Sequence, residues 1–140
     1  MCLQTTWKRA KTAKEDIIVY KLFEQGSLTS SHQYFSYVAN QLYETKMTTT
    51  EDNTSLDTQA GAEGARAQLE GIKFRSVEEG FHSAKYPSRF NNKADDVYDG
   101  DVVKCIIPKG SKYYEGFTDL LVSNKIIVTG EVVKTVKYDD

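Results

Sequence analysis

Apolar and polar positions alternate in a few short stretches, each the length of a β-strand. In residues 16–23, Ile17, Val19 and Phe23 fall on one face of an extended backbone and Ile18, Tyr20 and Leu22 on the other. β-Branched and aromatic residues on both faces predict a strand buried on both sides. Residues 101–107 repeat the pattern, with Val103, Cys105 and Ile107 opposite Val102 and Ile106. Residues 125–133 predict a third strand, and the three are expected to share one sheet-based interior. A shorter strand is predicted over 72–77. Gly26-Ser27, Glu79-Gly80 and Pro108-Lys109-Gly110-Ser111 mark turns between these elements.

Elsewhere the pattern is weaker. In residues 34–43, Tyr34, Val38 and Leu42 recur every four positions, which suits a helix, whereas Phe35, Tyr37 and Tyr43 suit a strand. Residues 46–58 read as a polar loop. Residues 59–70 are rich in alanine and glutamate, but Gly61 and Gly64 each cost a helix about 1 kcal/mol, and Leu69 is its only large apolar anchor. Residues 84–100 read as loop with one helical turn. Residues 1–14 are polar and basic and are expected to form a loose N-terminal arm, with Trp7 available to pin it. The expectation is a single compact β-rich domain over 15–138, of the α+β class. It has a mixed or antiparallel sheet, few short helices and a flexible insertion near 46–70.

Composition narrows the classes. Of 140 residues, 39% are hydrophobic and 27% charged, a globular balance. No run approaches the roughly 18 apolar residues of a membrane span. The first residues lack the apolar core of a secretory leader, and Cys2 and Cys105 are far apart, so a cytoplasmic setting with reduced thiols is expected. A net charge of −2 offers no broad field for duplex nucleic acid. Lys8, Arg9, Lys11 and Lys14 form a local basic run, read as solvated charge on the arm. Pairing of an edge strand into a homo-oligomer is an expectation for a small β domain.

Catalytic signatures are missing. His32, His82, Cys2 and Cys105 share none of the short spacings of a zinc site, and no metal or cofactor is expected. Ser83 follows His82 directly, and neighbours on a strand point to opposite faces. Twenty acidic residues are too many to single out a carboxylate pair. Lys109 and Lys112 flank a turn whose backbone N–H groups suit an anion. Tyr113, Tyr114 and Phe117 cluster beside these lysines, and aromatic faces next to cations can stack a base and hold its phosphates. Lys21, His82, Ser83, Arg89, Lys109, Tyr113 and Tyr114 are the expected ligand-binding residues, with no catalytic residue among them.

Three stretches carry a resemblance. Phe35 to Tyr43 resembles an F-x-Y-x-x-G-x-x-Y segment, with Asn40 in place of the glycine. Glu78 to His82 resembles E-x-G-F-H. Ile107-Pro108-Lys109-Gly110-Ser111, followed by Ser123-Asn124-Lys125-Ile126-Ile127-Val128, resembles a P-K-G-S turn and an S-N-x-I-I-V strand. With Glu15 to Lys21 as an E-D-I-x-V-Y-K strand, this order is similar to a group of short uncharacterised proteins of gut bacteria and their phages. The resemblance tips residues 34–43 towards strand and implies a β-rich domain in a mobile-element setting. A remoter likeness is to the ADP-ribosyltransferase fold, which would place Lys21, His82-Ser83 and Glu131 at its motif positions, but Lys21 is not arginine and no S-T-S is present. The expected function is therefore non-catalytic binding of a small anionic ligand, a nucleotide, in the setting of a phage protein that sequesters a host defence signal. The alternatives are an ADP-ribosyltransferase-like enzyme and a protein–protein inhibitor module.

Overall fold

The two most strongly alternating stretches pair with each other. The structure is a computed structural model that describes residues 3–30, 35–52, 74–90 and 100–136. Its strands are β1 (Leu3–Thr5), β2 (Lys11–Thr12), β3 (Ile17–Glu24), β4 (Leu42–Glu44), β5 (Thr49–Asp52), β6 (Phe74–Val77), β7 (Phe81–Ala84), β8 (Gly100–Ile107), β9 (Lys112–Glu115), β10 (Leu120–Ser123) and β11 (Lys125–Val136). β3 and β8 run antiparallel over their full lengths, from Ile17 opposite Ile107 to Glu24 opposite Gly100. Eight strands form one antiparallel sheet in the order β2-β9-β10-β7-β3-β8-β11-β4, and β1-β6-β5 form a second. The described helical pieces are 3-10 turns at Pro87–Arg89 and Phe117–Asp119. The β-rich expectation is met, and the mixed-or-antiparallel alternative resolves to antiparallel. The helices of an α+β class are not found among the described residues.

The large sheet curls. β2 pairs with β9 in the same register in which β3 pairs with β8. Between them, Ala13 donates to the Ser111 carbonyl at 2.8 Å and accepts from the Gly110 N–H at 2.9 Å. Residues 11–13 and 17–24 thus face residues 111–113 and 100–107 in one continuous register, with a bend at 14–16 between them. Since β9 also connects to β3 by way of β10 and β7, there are two routes round to the same strand. The result is a small, partly closed barrel. Its interior is lined by Val19, Phe23, Val103, Cys105, Ile107, Leu121, Ile126 and Val128, all buried, with Tyr37 closing one side. Outside, Leu3, Val77, Tyr114 and Val122 join the small sheet to the barrel. Val102 and Val136 pack with Tyr20, Leu22 and Phe90 elsewhere on the outer wall.

Several expectations are corrected. Residues 3–14 are not a free arm: Leu3 and Thr5 are buried, and Gly116 admits β1 because a Cβ there would lie 2.6 Å from the Gln4 carbonyl oxygen. The polar run 46–58 contains β5, paired with β6 from Thr49–Val77 to Asp52–Phe74. Among the described residues of the 34–43 region, named strand begins at Leu42 and runs to Glu44. Residues 35–37 bridge antiparallel to 28–30 through Thr29–Ser36, and the turn at Ala39-Asn40 follows, where Asn40 takes the left-handed φ of 64° and donates its N–H to Val128 O at 2.7 Å. Asparagine tolerates that conformation better than most residues, so the bend survives without glycine. β3 is not buried on both sides throughout. Ile18 is 40% exposed and begins a row, Ile18–Ile106–Ile127–Leu42, across four neighbouring strands. The one-turn expectation over 84–100 meets Pro87–Arg89. Tyr34, the helix over 59–70 and residues 91–99 lie outside the described residues.

Candidate functional site

The seven expected ligand residues fall into four places. Lys21 is on β3 with its side chain inside the barrel, on the face of Val19 and Phe23, and only 8% exposed. β3 and β7 touch in register only at Tyr20–Ala84, so the strands splay beyond that pair. The Lys21 ammonium enters the splay and donates to the His82 carbonyl, replacing a ladder bond. It also lies 5.9 Å from the centre of the Tyr37 ring. Alternation along β7 turns Ser83 inward with Leu121 and His82 outward with Val122. Ser83 Oγ and His82 Nε2 are buried without a hydrogen-bond partner. The sequence argument that His82 and Ser83 diverge therefore holds.

Burial sets the charge states here. Desolvation pushes Lys21 down from 10.5 to about 8, against a smaller opposing effect of Cys105. It pushes the Cys105 thiol up to about 12 and the Tyr37 hydroxyl up to about 12. Between pH 8 and 10.5 the unfolded chain holds the Lys21 proton that the native chain has released, so stability rises with pH. Above pH 9 the unfolded thiol of Cys105 ionises while the buried one does not, which opposes the gain. Stability is therefore expected to rise by about 1 kcal/mol from pH 8 to 9 and then level off. Urea titrations across that range check it, and Lys21→Met should remove the rise. An unchanged rise in that variant would sink the assignment.

Arg89 stands apart, in the 3-10 turn on the outer wall, with its Nε buried and unpartnered. Tyr114 is 8% exposed and packs with Leu3 and Val77, so it presents no free ring. Glu131 is exposed and pairs with Lys104 at 3.7 Å on the outer wall, whereas Lys21 and Ser83 face inward. The positions of the ADP-ribosyltransferase likeness are thus split between the two sides of the sheet. Among the described residues no group of three or more His, Cys, Asp or Glu could hold a metal ion.

Lys109 and Tyr113 belong to a fourth place, which the register of β2 and β9 builds. Lys11 lies opposite Tyr113, and Thr12 opposite Lys112, whose ammonium donates to Thr12 Oγ1. The Pro108–Ser111 turn clasps Ala13, and the Lys109 N–H donates to Asp16 Oδ1 at 2.8 Å. The basic run at 9–14 and the lysines at 109 and 112 therefore share one edge. Arg9, Lys11, Lys14, Lys109 and Lys112 are exposed there, and none forms an ion pair among the described residues. Trp7 lies among them: its ring meets Tyr113 edge-on at 5.5 Å, and Lys11 Nζ stands 4.1 Å over it. Trp7, Lys11, Lys14 and Lys112 were not among the expected ligand residues. Their basic character was visible, but their partnership with 109–113 depends on a pairing between remote segments.

The chain matches no family model, no curated protein and no solved structure.

Proposed function

We propose that the protein is a non-catalytic binder of a phosphate-bearing ligand, a nucleotide, held at the β2–β9 edge. The observation that carries this reading is the docking of Lys11–Thr12 onto β9, which sets Lys11 over the one tryptophan and brings Lys112 to the same edge of a chain whose net charge is −2. Cations supply the phosphate contacts. Trp7 supplies a ring on which a base stacks, at about 1–3 kcal/mol per base. Asp16 accepts from the Lys109 backbone N–H rather than from its ammonium. Sequestration of a nucleotide signal is a use that such a binder would serve.

Trp7 is its own reporter. Titration with linear and cyclic nucleoside phosphates is expected to change its fluorescence. At a hundredfold excess over Kd it should stabilise the fold by about 2.7 kcal/mol. The double substitution Lys11→Glu, Lys112→Glu alters exposed side chains and should abolish the response with little loss of stability. Absence of any fluorescence or melting response to every nucleotide would overturn the proposal.

A further inference from the structure

Resting on that reading, we infer that the edge takes a single-stranded nucleic acid rather than an isolated nucleotide. The cations are laid out along a strand and not round a hollow. Arg9 to Lys14 covers up to roughly 17 Å of extended chain. Alternation turns Lys11 to the side of Tyr113, while Lys112, opposite Thr12, lies on the other side. Lys14 and Lys109 carry the array past Ala13 to the turn. One nucleotide carries its phosphates at a single point and can meet only part of this array. A chain of phosphates running along the ridge meets cations over its whole length. β2 is the last strand of its sheet, so no neighbour among the described residues covers its outer side.

The rings decide between polyanions. An acidic peptide would satisfy the lysines and gain nothing from Trp7. An unpaired base can displace the Lys11 ammonium from the indole face, releasing that ammonium to a phosphate. A duplex hides its base faces and so leaves the indole of Trp7 without a stacking partner.

The test is fluorescence anisotropy with labelled thymidylates, from the mononucleotide to about twelve nucleotides, on the full chain at several salt concentrations. Affinity should rise at least tenfold from the mononucleotide to the length that spans the ridge and then level off. Neutralising three to five phosphates gives a slope of log K against log salt of about −2 to −3.5. Lys14→Ala and Lys109→Ala should each reduce that slope by about 0.7. Trp7→Phe should weaken binding while leaving the slope unchanged. Equal affinity for mononucleotide and oligomer would overturn the inference and leave the nucleotide reading standing. No binding of either would remove both. Polyglutamate competing as well as the oligomer would overturn the inference in favour of an acidic partner.

Discussion

Replacing Phe23 with alanine is expected to lower the unfolding free energy by about 3–5 kcal/mol. Phe23 is 1% exposed, lies in the middle of the pairing order on β3, and points into the barrel. Its ring meets Tyr37 edge-on at 5.7 Å, and Tyr37 in turn meets Phe35, Tyr43 and Phe81. Removing it leaves a void that the β3–β8 ladder cannot close, because both strands are held in register along their lengths. It also withdraws support from the ring beside the Lys21 ammonium. Against a typical domain stability of about 5–15 kcal/mol, that is a large fraction. Urea unfolding should show a lower midpoint with the same slope, and Phe23→Leu should lose only about 1 kcal/mol. A loss below about 1 kcal/mol for the alanine variant would put Phe23 outside the core.

Acidification is expected to produce the next largest effect. Burial, reinforced by the Lys21 charge, holds the His82 imidazole down at about 4 from the usual 6.5. Between those values the unfolded chain binds a proton that the native chain refuses. The unfolded state therefore holds more protons, and stability falls as the pH drops. The window runs from pH 6.5 to 4, and the full shift corresponds to about 3 kcal/mol. His82→Gln removes the titration, so its stability should be nearly flat over the same range. Denaturant midpoints at intervals through the window distinguish the two. A wild-type midpoint that does not move between pH 6.5 and 5 would show that His82 is readily protonated in place.

The same residues show what the sequence made visible. β3, β8 and β11 were legible because Ile17–Phe23, Val102–Ile107 and the Ile126–Val128 run put β-branched residues at strand spacing, and bulk apolar burial enforces that register. β2 was not legible, since Lys11-Thr12 holds no apolar residue and is extended only because β9 and the 108–111 turn offer it hydrogen bonds. Lys21 had the parity of Val19 and Phe23, which places it inside. Its charge suggested an exposed ligand residue, and the splay between β3 and β7 that accepts it could not be foreseen. Lys109 and Tyr113 were picked out together as near neighbours in sequence, but their assembly with Trp7 and Lys11 requires a contact between segments about a hundred residues apart. Tyr114 fell away for the converse reason: a strand neighbour of Tyr113 faces the other way, onto Leu3 and Val77.

The ladder from Ile17–Ile107 to Glu24–Gly100 also governs how the molecule comes together. Its two halves can meet only after a loop of roughly seventy-five residues has closed, an entropic cost that no contact has yet offset. Assembly therefore belongs to the millisecond-to-second class of non-local β topologies. While it proceeds, β3 and β8 stand as uncovered aliphatic strands, and the nascent chain is most open to intermolecular pairing before its second half has been made.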